Sequence, residues 1–182
     1  MIFAFDLDGT LCEAWYGEES PDFYHSEDDT ETRALKEDCY RHVKPLPQAI
    51  RFLESCPEGS RFVVLSRIYS GHEYEQKKAY LERCFINPKD GRPFFSPEDI
   101  YGSTTGTQKY MTLCMLSKDS KEDVIYFDDD ISLVCWINST RRHDDDGTGL
   151  QILALHSSSL GIRTPENCIK TLNTDTQSKY KL

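Results

Sequence analysis

No stretch of this chain approaches the roughly 20 consecutive apolar residues that a bilayer-spanning helix needs, so no membrane segment is expected. The apolar opening Met1–Phe5 is too short for a signal core and has no basic flank. A secretory leader is therefore not indicated. Cys-x-x-Cys pairs are also missing. The seven cysteines (Cys12, Cys39, Cys56, Cys84, Cys114, Cys135 and Cys168) are odd in number and far apart. Neither a disulfide framework nor a zinc site follows from such spacing, and reduced thiols in a cytoplasmic protein are the expectation. Cys12 stands apart only because it lies four residues past Asp8, where oxidation would fall close to an acidic pair.

Basic residues are in deficit too. Lysine and arginine total 21 against 31 acids, a net charge of −10. Much of this sits between Leu11 and Tyr40, where ten acids face only Arg33 and Lys36. Such a surface repels polyanions, so no nucleic-acid partner is expected.

What the chain does have is enough apolar residue, 38% against 29% charged, for a soluble globular protein. Its 182 residues suit one domain spanning 1–182 with a genuine core. Four short apolar runs each end on a polar residue. Ile2–Phe5 runs into Asp6, Arg61–Leu65 into Ser66, Asp123–Phe127 into Asp128, and Leu150–Leu155 into His156. Continuous runs rich in Val, Ile and Phe read as strands buried on both faces. Asp99–Tyr101 is a weaker fifth candidate. Helical spacing lies between them, over Pro47–Cys56, His72–Phe85 and Lys109–Leu116. Ile131–Ile137 is apolar nearly all round and suits a helix or an irregular buried segment. Alternation of this kind predicts a Rossmann-like, three-layer α/β/α fold around a central parallel sheet.

Two segments break the rhythm. Residues 13–41, acidic and aromatic (Trp15, Tyr16, Phe23, Tyr24), read as a short flap or mini-cap whose rings could close over a substrate or pack on the core. Residues 141–149, with Asp144–Asp146 and two glycines, read as a surface loop. Beyond Pro165 the chain turns polar, and its last ten residues are expected to fray.

Ligands of open parallel sheets bind outside the carboxyl ends of the strands. There this sequence places Asp6, Asp8, Ser66 and the Asp128–Asp130 run, with Lys109 opening a helix. Asp6 and Asp8, two apart on an extended segment, point to the same side, and Gly9 allows a tight turn beside them. Taken singly, an Asp-x-Asp-Gly is more often a turn or a calcium-like loop, and Asp128–Asp130 could be a solvated helix start. Together they concentrate negative charge in a half-buried crevice, which calls for a divalent cation. All-oxygen ligands favour Mg²⁺ over zinc.

Asp6-Leu7-Asp8-Gly9-Thr10-Leu11 after an apolar strand resembles the first motif of the haloacid dehalogenase (HAD) superfamily. Leu65-Ser66-Arg67 is similar to its second motif, Lys109 to its third and Phe127-Asp128-Asp129 to its fourth. Lys44–Ile50 with Leu53 is similar to the linker into the first core helix of that family. The resemblance covers residues 1–12 and 43–137 and implies a HAD-like core that catalyses two-step phosphoryl transfer. Asp6 would be the nucleophile and Asp8 the general acid and base. Ser66 and Lys109 would hold the phosphoryl oxygens, and Arg67 could touch substrate or serve the surface. Mg²⁺ would be held by Asp6, the main-chain carbonyl of Asp8 and Asp128, with Asp129 or Asp130 in support. An acid at position 8 separates the chain from dehalogenases, which need no proton for their leaving group. The missing lysine-threonine pattern separates it from P-type ATPases.

The resemblance thus implies a phosphomonoester hydrolase, with a small phosphorylated metabolite such as a nucleotide or sugar phosphate as substrate. A phosphoprotein phosphatase and a catalytically silent binding scaffold are the alternatives. Receiver domains of response regulators use similar groups, but there lysine comes last, whereas Lys109 precedes the final acid cluster here.

Overall fold

The computed structural model describes residues 1–15, 38–140 and 150–179. Most of the expected flap (16–37), the acidic 141–149 loop and the last three residues lie outside the described residues. The strands are β1 (Ile2–Phe5), β2 (Arg61–Arg67), β3 (Ile100–Ser103), β4 (Val124–Asp128) and β5 (Ile152–His156). They form one parallel sheet in the order β3-β2-β1-β4-β5. The helices are α1 (Pro47–Ser55), α2 (Gly71–Cys84), α3 (Gly106–Ser120), α4 (Ile131–Thr140) and α5 (Pro165–Lys179).

Strand alternation divides the apolar side chains between the two faces of the sheet. Phe3, Phe5 and Phe127 face one core with Phe52 and Leu53 of α1, Tyr80 and Leu81 of α2, and Cys168 and Leu172 of α5. Ile2, Ala4, Val63, Leu65 and Tyr126 face the other, against Leu113 and Leu116 of α3 and Val134 and Ile137 of α4. Helices thus cover both faces, giving the Rossmann-like three-layer α/β/α arrangement. No helix among the described residues is long and apolar enough to cross a membrane.

Local chemistry explains the element boundaries. Pro47 sits in the first turn of α1, where its missing N–H costs nothing. Ser70 caps α2 by accepting from the Glu73 N–H at 3.0 Å. Thr105 does the same for Gln108 at 3.2 Å, so α3 starts earlier than its apolar spacing suggested and Lys109 falls in its first turn. It also ends later, at Ser120, with Lys121 left-handed at φ 55°.

Beyond Pro165, where the sequence only turns polar, a helix forms and continues to Lys179, into the last ten residues expected to fray. Cys168 and Leu172, one turn apart and both fully buried, dock it onto the core. Of the four flap aromatics, Trp15 is described and packs in the core, 2% exposed. Between Ser66 and Lys109 the chain forms α2, a connecting stretch with a short 3-10 turn at Pro97–Asp99, and β3. No cap domain is inserted there.

Phe52 joins the layers. Its ring lies edge-on to Phe3 at 5.7 Å, to Phe5 at 6.2 Å and to Phe127 at 5.0 Å. Replacing it with alanine empties the space between α1 and two central strands. Phe52→Ala should therefore cost about 3–5 kcal/mol of stability, read from urea unfolding midpoints.

Candidate active site

β1 and β4 are neighbours at the point where the sheet order reverses, so their carboxyl ends open onto one crevice. Asp6 extends the pairing one step, its N–H donating to the Phe127 carbonyl at 2.8 Å. Leu7 turns into the core while Asp6 and Asp8 face the crevice. The chain then folds tightly, with the N–H groups of Thr10, Leu11 and Cys12 all directed at the Leu7 carbonyl. Gly9 makes this turn at φ +75°, and a Cβ there would lie 2.4 Å from Asp129 Oδ2. Only glycine lets Asp129 lean over the turn.

Lys109 reaches in from α3. Its Nζ lies 2.7 Å from Asp6 Oδ1 and 2.8 Å from Asp128 Oδ2. Tyr126, two residues before Asp128 on the same side of β4, donates its hydroxyl to that same Asp128 oxygen. Burial, only partly countered by Lys109 and reinforced by Asp128 and Asp8, pushes the Asp6 carboxyl up to about 7. Burial, together with Asp128, also raises Asp129. Burial works against the Lys109 ammonium, but Asp6 and Asp128 outweigh it and hold Lys109 above its ordinary value.

One carboxylate oxygen each from Asp6, Asp128 and Asp129 lies within 4.8 Å of the others. These are hard donors, crowded and starved of positive charge, and the set fits Mg²⁺. Asp130 takes no part in the group. Its carboxylate accepts from the N–H groups of Ser132 at 2.9 Å and Leu133 at 3.1 Å, capping α4. Of the two acids left open by the sequence, Asp129 is the one at the cluster.

The Asp8 carboxylate is held elsewhere. The Tyr40 hydroxyl donates its one hydrogen to this carboxylate, lying 2.7 and 2.8 Å from its two oxygens. Lys77 Nζ lies 3.0 Å from Asp8 Oδ2 and 3.1 Å from Glu73 Oε1, and it also donates to Ser66 Oγ at 2.8 Å. Burial opposes the Lys77 ammonium, yet Asp8 and Glu73 hold its pKa above the ordinary value. Ser66 is buried, and its hydroxyl donates to the Arg67 carbonyl at 3.3 Å while accepting from Lys77. Arg67 is not joined to the carboxylates. Its exposed guanidinium stacks over Tyr69, 5.1 Å from the ring centre, and its carbonyl accepts from Lys77.

Sequence reading missed Tyr40, Glu73, Lys77 and Tyr126 as members of the site. The Glu73/Lys77 spacing of one helical turn and the Tyr126/Asp128 spacing of one strand repeat were available signals. Tyr40 had none, since only tertiary packing brings it to Asp8.

The idea of an oxidation-sensitive Cys12 is not supported. The thiol is fully buried, and burial and then Asp8 push its pKa well above normal. In the folded protein Cys12 should stay unmodified by peroxide or iodoacetamide while exposed Cys135 reacts, as mass spectrometry of digests would show. Gly9→Ala should displace Asp129 and weaken Mg²⁺ binding by about 10–100-fold in calorimetric titration.

No family model matches the chain, and no curated protein matches it. Among solved structures it is similar to the HAD domain of the effector protein Lem4 from Legionella pneumophila, with 16% sequence identity and a TM-score of 0.46. That alignment covers 99% of this chain and 97% of the other.

Proposed function

We propose that this chain is a Mg²⁺-dependent phosphomonoester hydrolase of the HAD type, acting through an aspartyl-phosphate on Asp6. One observation carries the reading. Lys109 bridges Asp6 of β1 and Asp128 of β4 at the crevice where the sheet order reverses, with Asp129 completing a carboxylate trio. A nucleophile, a fixed cation and a metal-fitting acid set at one strand edge are the parts phosphoryl transfer requires.

Asp6 attacks phosphorus, forming a carboxylate–phosphorus bond as the ester P–O bond breaks. Asp8 donates its proton to the departing oxygen, then takes one from the water that attacks the aspartyl-phosphate and frees inorganic phosphate. Ser66 and Lys109 hold the phosphoryl oxygens, and Lys109 offsets their growing charge. Asp6, Asp128 and Asp129 would hold Mg²⁺, which would supply the charge that lets a phosphate enter among carboxylates that otherwise repel it. The substrate is a small phosphorylated metabolite, such as a nucleotide or sugar phosphate, held mainly through its phosphate. The acidic character of the chain disfavours long polyanions.

Phosphate release from a panel of phosphomonoesters, with Mg²⁺ and with chelator, tests this. Wild type should turn over small esters only with metal, Asp6→Asn should fall to background, and Asp8→Asn should lose about 10²–10⁴ in kcat. Activity confined to phosphorylated proteins would move the substrate to that class. No metal-dependent turnover of either class would sink the enzyme reading and leave a binding scaffold.

A further inference from the structure

Lys77 is 2% exposed, and its ammonium serves no group of the Asp6–Asp128–Asp129 trio. It pairs with Asp8 Oδ2 at 3.0 Å and Glu73 Oε1 at 3.1 Å, and it donates hydrogen bonds to Ser66 Oγ at 2.8 Å and to the Arg67 carbonyl. Glu73 is fully buried, and its other oxygen accepts from the Tyr69 N–H at 2.7 Å, which ties the array to the loop after β2. Tyr40, 1% exposed, closes the array from the other side with its hydroxyl on Asp8 and its ring 5.8 Å from Lys77 Nζ.

Burying a lysine and a glutamate is costly, and well-packed apolar residues of similar volume would serve stability as well or better. An array that survives this cost at the strand edge calls for another explanation. The Asp8 carboxylate sits two residues from Asp6 and, left free to rotate, would be drawn to a divalent cation there. Lys77 offers it a fixed positive charge on a different side.

We propose that Lys77 is a positioning residue which, with Glu73 and Tyr40, holds the Asp8 carboxylate for the leaving group and keeps it off the cation site. The inference rests on the phosphatase reading. Through Ser66 the same ammonium sets the distance between the proton donor and the phosphate-holding hydroxyl.

The test uses Lys77→Met/Glu73→Gln, which removes both buried charges together, and Tyr40→Phe, which deletes one hydroxyl and keeps the ring. Each is assayed with Mg²⁺ on an aryl phosphate, whose phenolate leaves without a proton, and on an alkyl phosphate, whose alkoxide does not. Losing Asp8's placement should cut kcat on the alkyl ester at least about tenfold more than on the aryl ester, with KM little changed. Asp8→Asn should show the same selectivity, and adding it to either variant should cost little more. Equal losses on both esters, or no loss, would overturn the proposal.

Crystal structures of the two variants give a readout independent of turnover. The Asp8 carboxylate should leave the position it holds against Tyr40 and Lys77, and an unmoved carboxylate in the double variant would count against Lys77. Wild type inactive on both esters would remove the phosphatase reading, while this second readout still decides whether Lys77 places Asp8.

Discussion

Carboxylates at the same end of adjacent parallel strands repel one another, and Asp6 and Asp128 are held in that position by the pairing of β1 with β4. Lys109 lies between them at 2.7 and 2.8 Å, and much of the surrounding structure serves that contact. Thr105 starts α3 early enough to put Lys109 in its first turn. Leu113 and Leu116 press α3 onto the sheet so that the ammonium meets the strand ends. Burial makes the contact strong and also leaves it insufficient. Desolvation, with Asp128 and Asp8 adding to it and Lys109 only partly opposing it, pushes the Asp6 carboxyl up to about 7. A divalent cation would oppose that shift.

The site divides into two arrays that share the turn after β1. Lys109 from α3 serves Asp6 and Asp128, while Lys77 from α2 serves Asp8 and Ser66. These helices lie on opposite faces of the sheet. The two cations thus approach the crevice from opposite layers, and two neighbouring aspartates with different partners can take different roles. Gly9 is what permits the crowding, because any side chain there would strike Asp129.

Much of the fold is legible in the pattern of residues along the chain. Strands buried on both faces need apolar residues at every position, so Ile2–Phe5 and Val124–Phe127 stand out as unbroken runs. The residues ending them stand out equally, because a charge after such a run has nowhere to go except the sheet edge. Asp6, Asp8, Ser66, Asp128 and Asp129 stand out in this way, and Lys109 as the opening of a helix. Other features are not. Helix α5 has no counterpart in the sequence pattern because two buried residues, Cys168 and Leu172, are a faint signal among polar neighbours. Arg67, left open between a substrate contact and a surface role, lies exposed over Tyr69, since the side of β2 it faces is fixed by pairing and not by its charge.

Local periodicity and the cost of burying charge are enough to set the parallel α/β class, the strands and the acids at their ends, and both are properties of the chain read residue by residue. Which partner each acid receives is a matter of tertiary packing. Tyr40 reaches Asp8 across 32 positions of chain, Lys109 reaches Asp6 across 103, and Asp129 rather than Asp130 joins the trio because Asp130 caps α4. Such pairings depend on how helices from both faces settle against the sheet. No local pattern encodes that, because the same lysine or tyrosine would suit an exposed helix face equally well.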